Sequence, residues 1–329
     1  MKNISFKARR HKLPLFLLNE FALERRNFAP DELIVMTQEW EIQKSQLSKQ
    51  NEHLAFYQFM INIEDSLPID ENWGYNSLLS HVYYLKGKIP KLLNIISPSD
   101  PLLLTYQGRG HYYAGNYVRA QQLARALPLI VDAYDYNMQL FTKTFITWIQ
   151  SKFQSEKKLF SQLYNVYLET EKEGTIFPSV RLPALALSLR REDVSLSDVE
   201  SLTQDLKTLI DPWTNGFCWS EIAYYYLAQE KTEEALNAVK ESMKYFNELS
   251  DCPDRFIPLL LAYRLSDNIR SASKGILSNT DQLKPIKTEY LLIKKSLETL
   301  TDEEEKILQD LTKEPTYLPE HLKKMTQSL

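Results

Sequence analysis

A chain of 329 residues with 43% hydrophobic side chains is long enough for one elongated array or two globular domains. It holds only 8 glycines, where average usage of roughly 7% would give about 23, which excludes glycine-rich phosphate cradles. The net charge of −4 argues against a surface that wraps nucleic acid, and two cysteines, Cys218 and Cys252, do not build a disulfide scaffold. The start, Met1-Lys2-Asn3-Ile4-Ser5-Phe6, lacks the apolar core of a signal peptide. No run approaches the ~18 apolar residues of a membrane span, so a cytoplasmic protein without membrane contact is expected. Leu, Ala, Lys, Glu and Gln abound, which favours helix.

Three segments are expected: residues 1–72, 73–265 and 266–329. Residues 2–12 are basic through Lys2, Lys7, Arg9, Arg10 and Lys12. That run reads as a solvated terminus, with a localisation signal or an anionic partner as the functional alternative. A short apolar helix follows over Leu15–Leu23, then one opened by Pro30, Asp31 and Glu32 that carries Leu33, Trp40 and Ile42. A further helix runs through Leu54, Tyr57 and Ile61 to a stop at Pro68. From Trp73 a helix pair appears, with Leu79, Ser80 and Tyr83 in its first helix and Gly87 at its turn. The break Pro98-Ser99-Asp100-Pro101 separates it from a second pair through Leu104, Gly108 and Tyr112, which turns at Gly115-Asn116. Helices are then expected over Leu140–Phe153, Leu159–Thr170 and Leu182–Arg190, the last following Pro178 with Pro183 in its first turn. Asp193–Ile210 reads as another, capped by Ser195 or Ser197. After Asp211-Pro212 comes the clearest stretch, Phe217 to Leu249.

Within that stretch Trp219, Ile222, Ala223 and Tyr226 recur at steps of three and four, so they share one helix face. A turn at Glu230-Lys231 precedes Thr232, which reads as an N-cap, with Glu233 and Glu234 in the first turn beyond it. Ala235, Val239, Met243 and Phe246 form the matching stripe. Downstream, Asp254–Leu265 is apolar and Lys284–Leu300 helical, and Thr301-x-x-Glu304 reads as a capping box. Residues 284–329 read as terminal capping helices.

The Phe217–Leu249 stretch resembles the tetratricopeptide repeat, a helix–turn–helix unit patterned W-x2-L-G-x2-Y…A-x3-F. Trp219, Ile222, Ala223, Tyr226, Ala235 and Val239 fall on its positions. The Gly115-Asn116-Tyr117-x-x-Ala120 turn is the next best match. The step from Gly87 to Gly115 is shorter than the family's 34-residue period, so the array is irregular. The resemblance implies an all-α fold, a right-handed α-solenoid of antiparallel helix pairs, whose first helices line a concave binding face.

No catalytic or metal motif competes with that reading. His11, His53, His81, His111 and His321 form neither HExxH nor a cysteine–histidine cluster. Gly108-x-Gly110 lacks the third glycine of a dinucleotide fingerprint and lies in a helical context. No enzyme, cofactor or metal is expected. The resemblance places Ser77, His81, Tyr84, Thr105, Arg109, Tyr112, Ser220 and Tyr224 on the concave face. Arg109 is the residue suited to grip a carboxylate in bidentate fashion, with a surface arginine and inter-repeat tyrosines as the bland alternative. The set of Lys, Arg and Asn that holds chaperone C-terminal tails is not present. The expected function is a non-enzymatic scaffold for a protein or peptide segment. The alternative is a bacterial-type signalling or transcriptional regulator that senses a peptide through its repeats. Nucleic acid is not expected as a partner, apart from the basic residues 2–12.

Overall fold

A computed structural model describes residues 76–95, 101–131, 136–154, 156–174, 176, 178–207, 209, 211–249, 251–314 and 317–328. The basic run at 2–12, the helices expected before Trp73 and the 1–72 segment lie outside the described residues. Among the described residues the chain is all-helical, without strands. Its helices are α1 (Asn76–Leu85), α2 (Ile89–Asn94), α3 (Pro101–Tyr113), α4 (Tyr117–Val131) and α5 (Tyr136–Phe153). Then come α6 (Lys157–Glu173), α7 (Pro178–Ser188), α8 (Leu196–Leu206), α9 (Pro212–Ala228) and α10 (Thr232–Phe246). The last are α11 (Phe256–Leu265), α12 (Asp267–Ser278), α13 (Lys284–Leu297), α14 (Asp302–Thr312) and α15 (Glu320–Gln327). No described helix is long and apolar enough to cross a membrane.

Three of the helix pairs turn in the same way. The pairs α1/α2, α3/α4 and α9/α10 pass through Gly87 (φ 62°), Gly115 (φ 80°) and Glu230 (φ 59°). In each, the N–H of that residue donates to a carbonyl three residues back, at 3.1, 3.0 and 3.1 Å. The following N–H donates five back: Lys88 to Tyr83, Asn116 to His111 and Lys231 to Tyr226, at 2.8, 2.8 and 2.9 Å. This is the Schellman motif, which satisfies the last helical carbonyls and needs one left-handed residue. Glycine takes that conformation without Cβ strain; Glu230 takes it against its preference.

The helix starts follow local chemistry. Ser195 caps α8 and Thr301 caps α14, each in a reciprocal capping box with Asp198 or Glu304. Asp211 caps α9 by accepting from the N–H groups of Trp213 and Thr214. Two sequence expectations need correction. Thr232 is the first helical residue of α10 and makes no cap; Lys231 occupies the cap position without a side-chain bond. Helix α7 begins at Pro178, so Pro183 lies inside it and not in its first turn.

The most extensive helix contact is between α9 and α10. There the Ser220 and Ser242 hydroxyls meet at 2.8 Å, and each also bonds the Gly216 carbonyl, at 3.0 and 2.6 Å. A Cβ on Gly216 would stand 2.8 Å from the Phe246 ring, which measures how closely the two backbones approach. Ile222 and Ala223 are fully buried, and Trp219 is half-buried against the same core. Helix α3 occupies the middle: every residue in it except His111 is buried. It packs against α1, α2, α4 and α5 from the earlier chain and α13 from the later chain. The terminal region also reaches back, since α15 packs on both α13 and α5. Segments nearly two hundred residues apart thus meet around one centre.

Candidate functional site

The predicted concave set divides when placed in the structure. Thr105 donates to the Pro101 carbonyl at 2.7 Å and is buried. Tyr84 is buried and stacks obliquely on Tyr106 and Tyr113. Ser220 belongs to the α9–α10 seam. His81 is half-buried, with its Nδ1 hydrogen-bonded to the Tyr106 hydroxyl. The backbone of Ser77 is in α1, and its side chain lies outside the described residues. Thr105, Tyr84, Ser220 and His81 do not line the cavity described below, whereas Tyr112 and Tyr224 do.

Arg109 is the clearest departure from the sequence expectation. Its guanidinium is buried and pairs with Asp254 at 3.1 Å, so the carboxylate it grips is the chain's own. The rings of Trp148, Trp213, Tyr84 and Phe217 surround it at 4.6, 5.0, 5.5 and 5.6 Å. Asp254 also accepts from the Tyr113 hydroxyl at 2.5 Å and from Trp213 Nε1 at 2.8 Å. Burial, then the Asp254 charge, pushes the Tyr113 hydroxyl well above the usual tyrosine range, so it stays a donor. The reason Arg109 misses the surface is that α3 is packed on all sides. The face one step off its main stripe is therefore interior too.

The open polar space lies beside this hub. A cavity of ≈ 280 Å³ is walled by α3, α5, α9, α11, α13, α15 and the turn after α7. Tyr112, Tyr113 and Trp148 form its aromatic floor, and Ile257, Leu260, Leu261 and Met325 supply an apolar side. Tyr112 meets Trp148 edge-on at 5.2 Å between ring centres.

The same space is lined by the charges Lys152, Arg190, Arg264, Glu289 and His321. Arg190 grips Glu221 with two bonds of 2.6 and 2.9 Å and lies 4.4 Å from the centre of the Tyr224 ring. His321 Nε2 lies 3.4 Å from the Glu289 carboxylate. Burial alone would raise the Glu289 carboxyl, but His321, by hydrogen bond and charge, with Lys152 and Arg264, holds it below the usual carboxylate range. Lys152 sits 4.7 Å from the centre of the Trp148 ring. Burial, reinforced by the Arg190 charge, lowers its ammonium pKa to about 8.

Neither Lys152 nor Arg264 makes a hydrogen bond or ion pair to any described residue. Lys152 is half-buried and Arg264 exposed at the rim. Lys152 is partly desolvated and bonded to no carboxylate, a state that an added anion would relieve, and the exposed Arg264 lines the same cavity. Among the described residues no group of three or more His, Cys, Asp or Glu side chains is placed to hold a metal. Cys218 and Cys252 are buried and free, with burial pushing both thiols well above their usual range. Both are therefore poor nucleophiles.

No single stretch announces this cavity, because six helices and a turn each contribute only a few residues. Lys152 and Arg264 sit at or near the ends of α5 and α11, where a cation normally reads as a partner of the helix dipole. Comparison with protein-family models, with curated proteins and with solved structures finds no match to this chain.

Proposed function

We propose that this chain is a non-enzymatic binding protein, an irregular right-handed α-solenoid of tetratricopeptide-like pairs that takes a protein or peptide segment. The segment enters the cavity between α3, α5, α9, α11, α13 and α15. The observation that carries this reading is the cavity itself, ≈ 280 Å³ of space lined by both apolar and charged side chains. Concave sites that combine apolar lining with convergent polar groups are where proteins bind ligands. The three Schellman turns support a repeated helix-pair unit.

Selection of displayed random peptides against the full chain tests the proposal. Selected peptides should lose about tenfold or more in affinity on Ile257→Asp or Tyr224→Ala, as expected for contacts central to an interface. Peptides that bind these variants as tightly as the parent chain would place the binding surface elsewhere.

A further inference from the structure

We infer that the group received by this cavity is a small amphipathic monoanion: one carboxylate carried on an apolar or aromatic body, held between Lys152 and Arg264. The inference rests on the binding reading above and narrows it to a chemical class.

The charges around the cavity fix the sign of the ligand. Around the cavity, Lys152, Arg190 and Arg264 stand against Glu289 and the Arg190 partner Glu221. Three cations against two carboxylates leave a positive surplus, before any charge on His321 is counted. A carboxylate offsets that surplus; a phosphate dianion would bring twice the negative charge up against Glu289. Arg190 is already held in a two-bond grip by Glu221. The unpaired donors are therefore Lys152 and Arg264, which enter from α5 and α11.

The wall fixes the body of the ligand. Tyr112 and Trp148 present aromatic surface, and Ile257, Leu260 and Met325 present aliphatic surface, within the same space as the cations. A free inorganic anion would leave that apolar surface wet. At ≈ 280 Å³ the cavity lies at the small end of ligand sites. It therefore admits one amino-acid-sized group and not a long folded segment. The same chemistry is offered by a free organic acid and by the last residue of a peptide.

Calorimetric titration of the full chain distinguishes these cases. The probes are N-acetyl-leucine, its uncharged amide, inorganic phosphate, and a leucine-ended peptide with a free or an amidated terminus. N-acetyl-leucine should bind at least tenfold more tightly than its amide, the loss expected for a charge-assisted hydrogen bond. Lys152→Gln and Arg264→Gln should each cost the acid about tenfold and leave the amide unchanged, with thermal melting confirming that both variants fold. Tighter binding of the free-ended peptide than of the acid would identify a peptide terminus as the source; the reverse would identify a free acid.

The inference is overturned if acid and amide bind alike, if phosphate binds as well as the acid, if the double variant retains the parent affinity, or if no carboxylate probe binds at millimolar concentration. Peptides selected by display that bind through Ile257 and Tyr224 but ignore Lys152→Gln and Arg264→Gln would overturn the anion inference alone. Absence of any selectable peptide alongside tight binding of the acid would overturn the segment-binding reading alone.

Discussion

Asp254 accepts hydrogen bonds from three side chains of the interior, Arg109, Tyr113 and Trp213. These come from α3 and α9, while Asp254 itself lies just before α11, so one carboxylate ties three parts of the chain together. Replacing it with alanine strands a buried guanidinium, a change that typically costs about 3–5 kcal/mol. Asp254→Ala should lower the chemical-denaturation free energy by that order. Combining it with Arg109→Met should recover part of the loss, because the orphaned charge is then gone.

Lys152 gives a separate test by pH. Its folded pKa of about 8 lies below the ordinary lysine value, about 10.4. Between these values the unfolded chain binds more protons than the folded one, so this group makes stability rise with pH. Below about pH 8 the cost of the buried charge is fully present. The parent chain should therefore gain stability relative to Lys152→Gln between pH 8 and 9.5, measured by denaturant titration at each pH.

At this scale the sequence is a partial guide. That Arg109 suits a carboxylate is legible from its residue type, but its buried partner, 145 positions away, is invisible without the fold. Tyr112 and Tyr224 do reach the cavity, whereas Thr105, Tyr84 and Ser220 follow the same spacing into the interior. A spacing rule assumes that each helix has one free face, and α3 has none.

Helices and turns are where the sequence speaks most clearly. Ser195 with Asp198 and Thr301 with Glu304 form boxes that need only residues three apart, so local chemistry settles them. Gly87 and Gly115 mark two Schellman turns by residue type, while Glu230 adopts the third without such a mark. A side chain in the left-handed region costs roughly 1–2 kcal/mol, partly offset by the lower unfolded-state entropy of a non-glycine residue. Glu230 is exposed and sits at a turn. Glu230→Gly should therefore raise stability by about 1 kcal/mol, read as a shift in the denaturation midpoint at unchanged slope. Thr232 illustrates the reverse error. Its residue type suits a cap, but the turn places the cap position one residue earlier, at Lys231.

Across the whole molecule, helix content is legible from composition and periodicity, since both depend on neighbours in sequence. The closure of α13 and α15 onto α3 and α5 is not legible, because it depends on which distant faces fit together. The cavity is a product of that closure, and it is the proposed binding surface.

Hydrogen–deuterium exchange of the full chain, with and without a display-selected peptide at saturation, tests this most directly. Added protection is expected around residues 148–152, 224, 257–264, 286–293 and 321–325, with α6, α8 and α14 unchanged. Protection confined to α6, α8 and α14, with the cavity walls exchanging as in the free chain, would contradict the proposed binding surface.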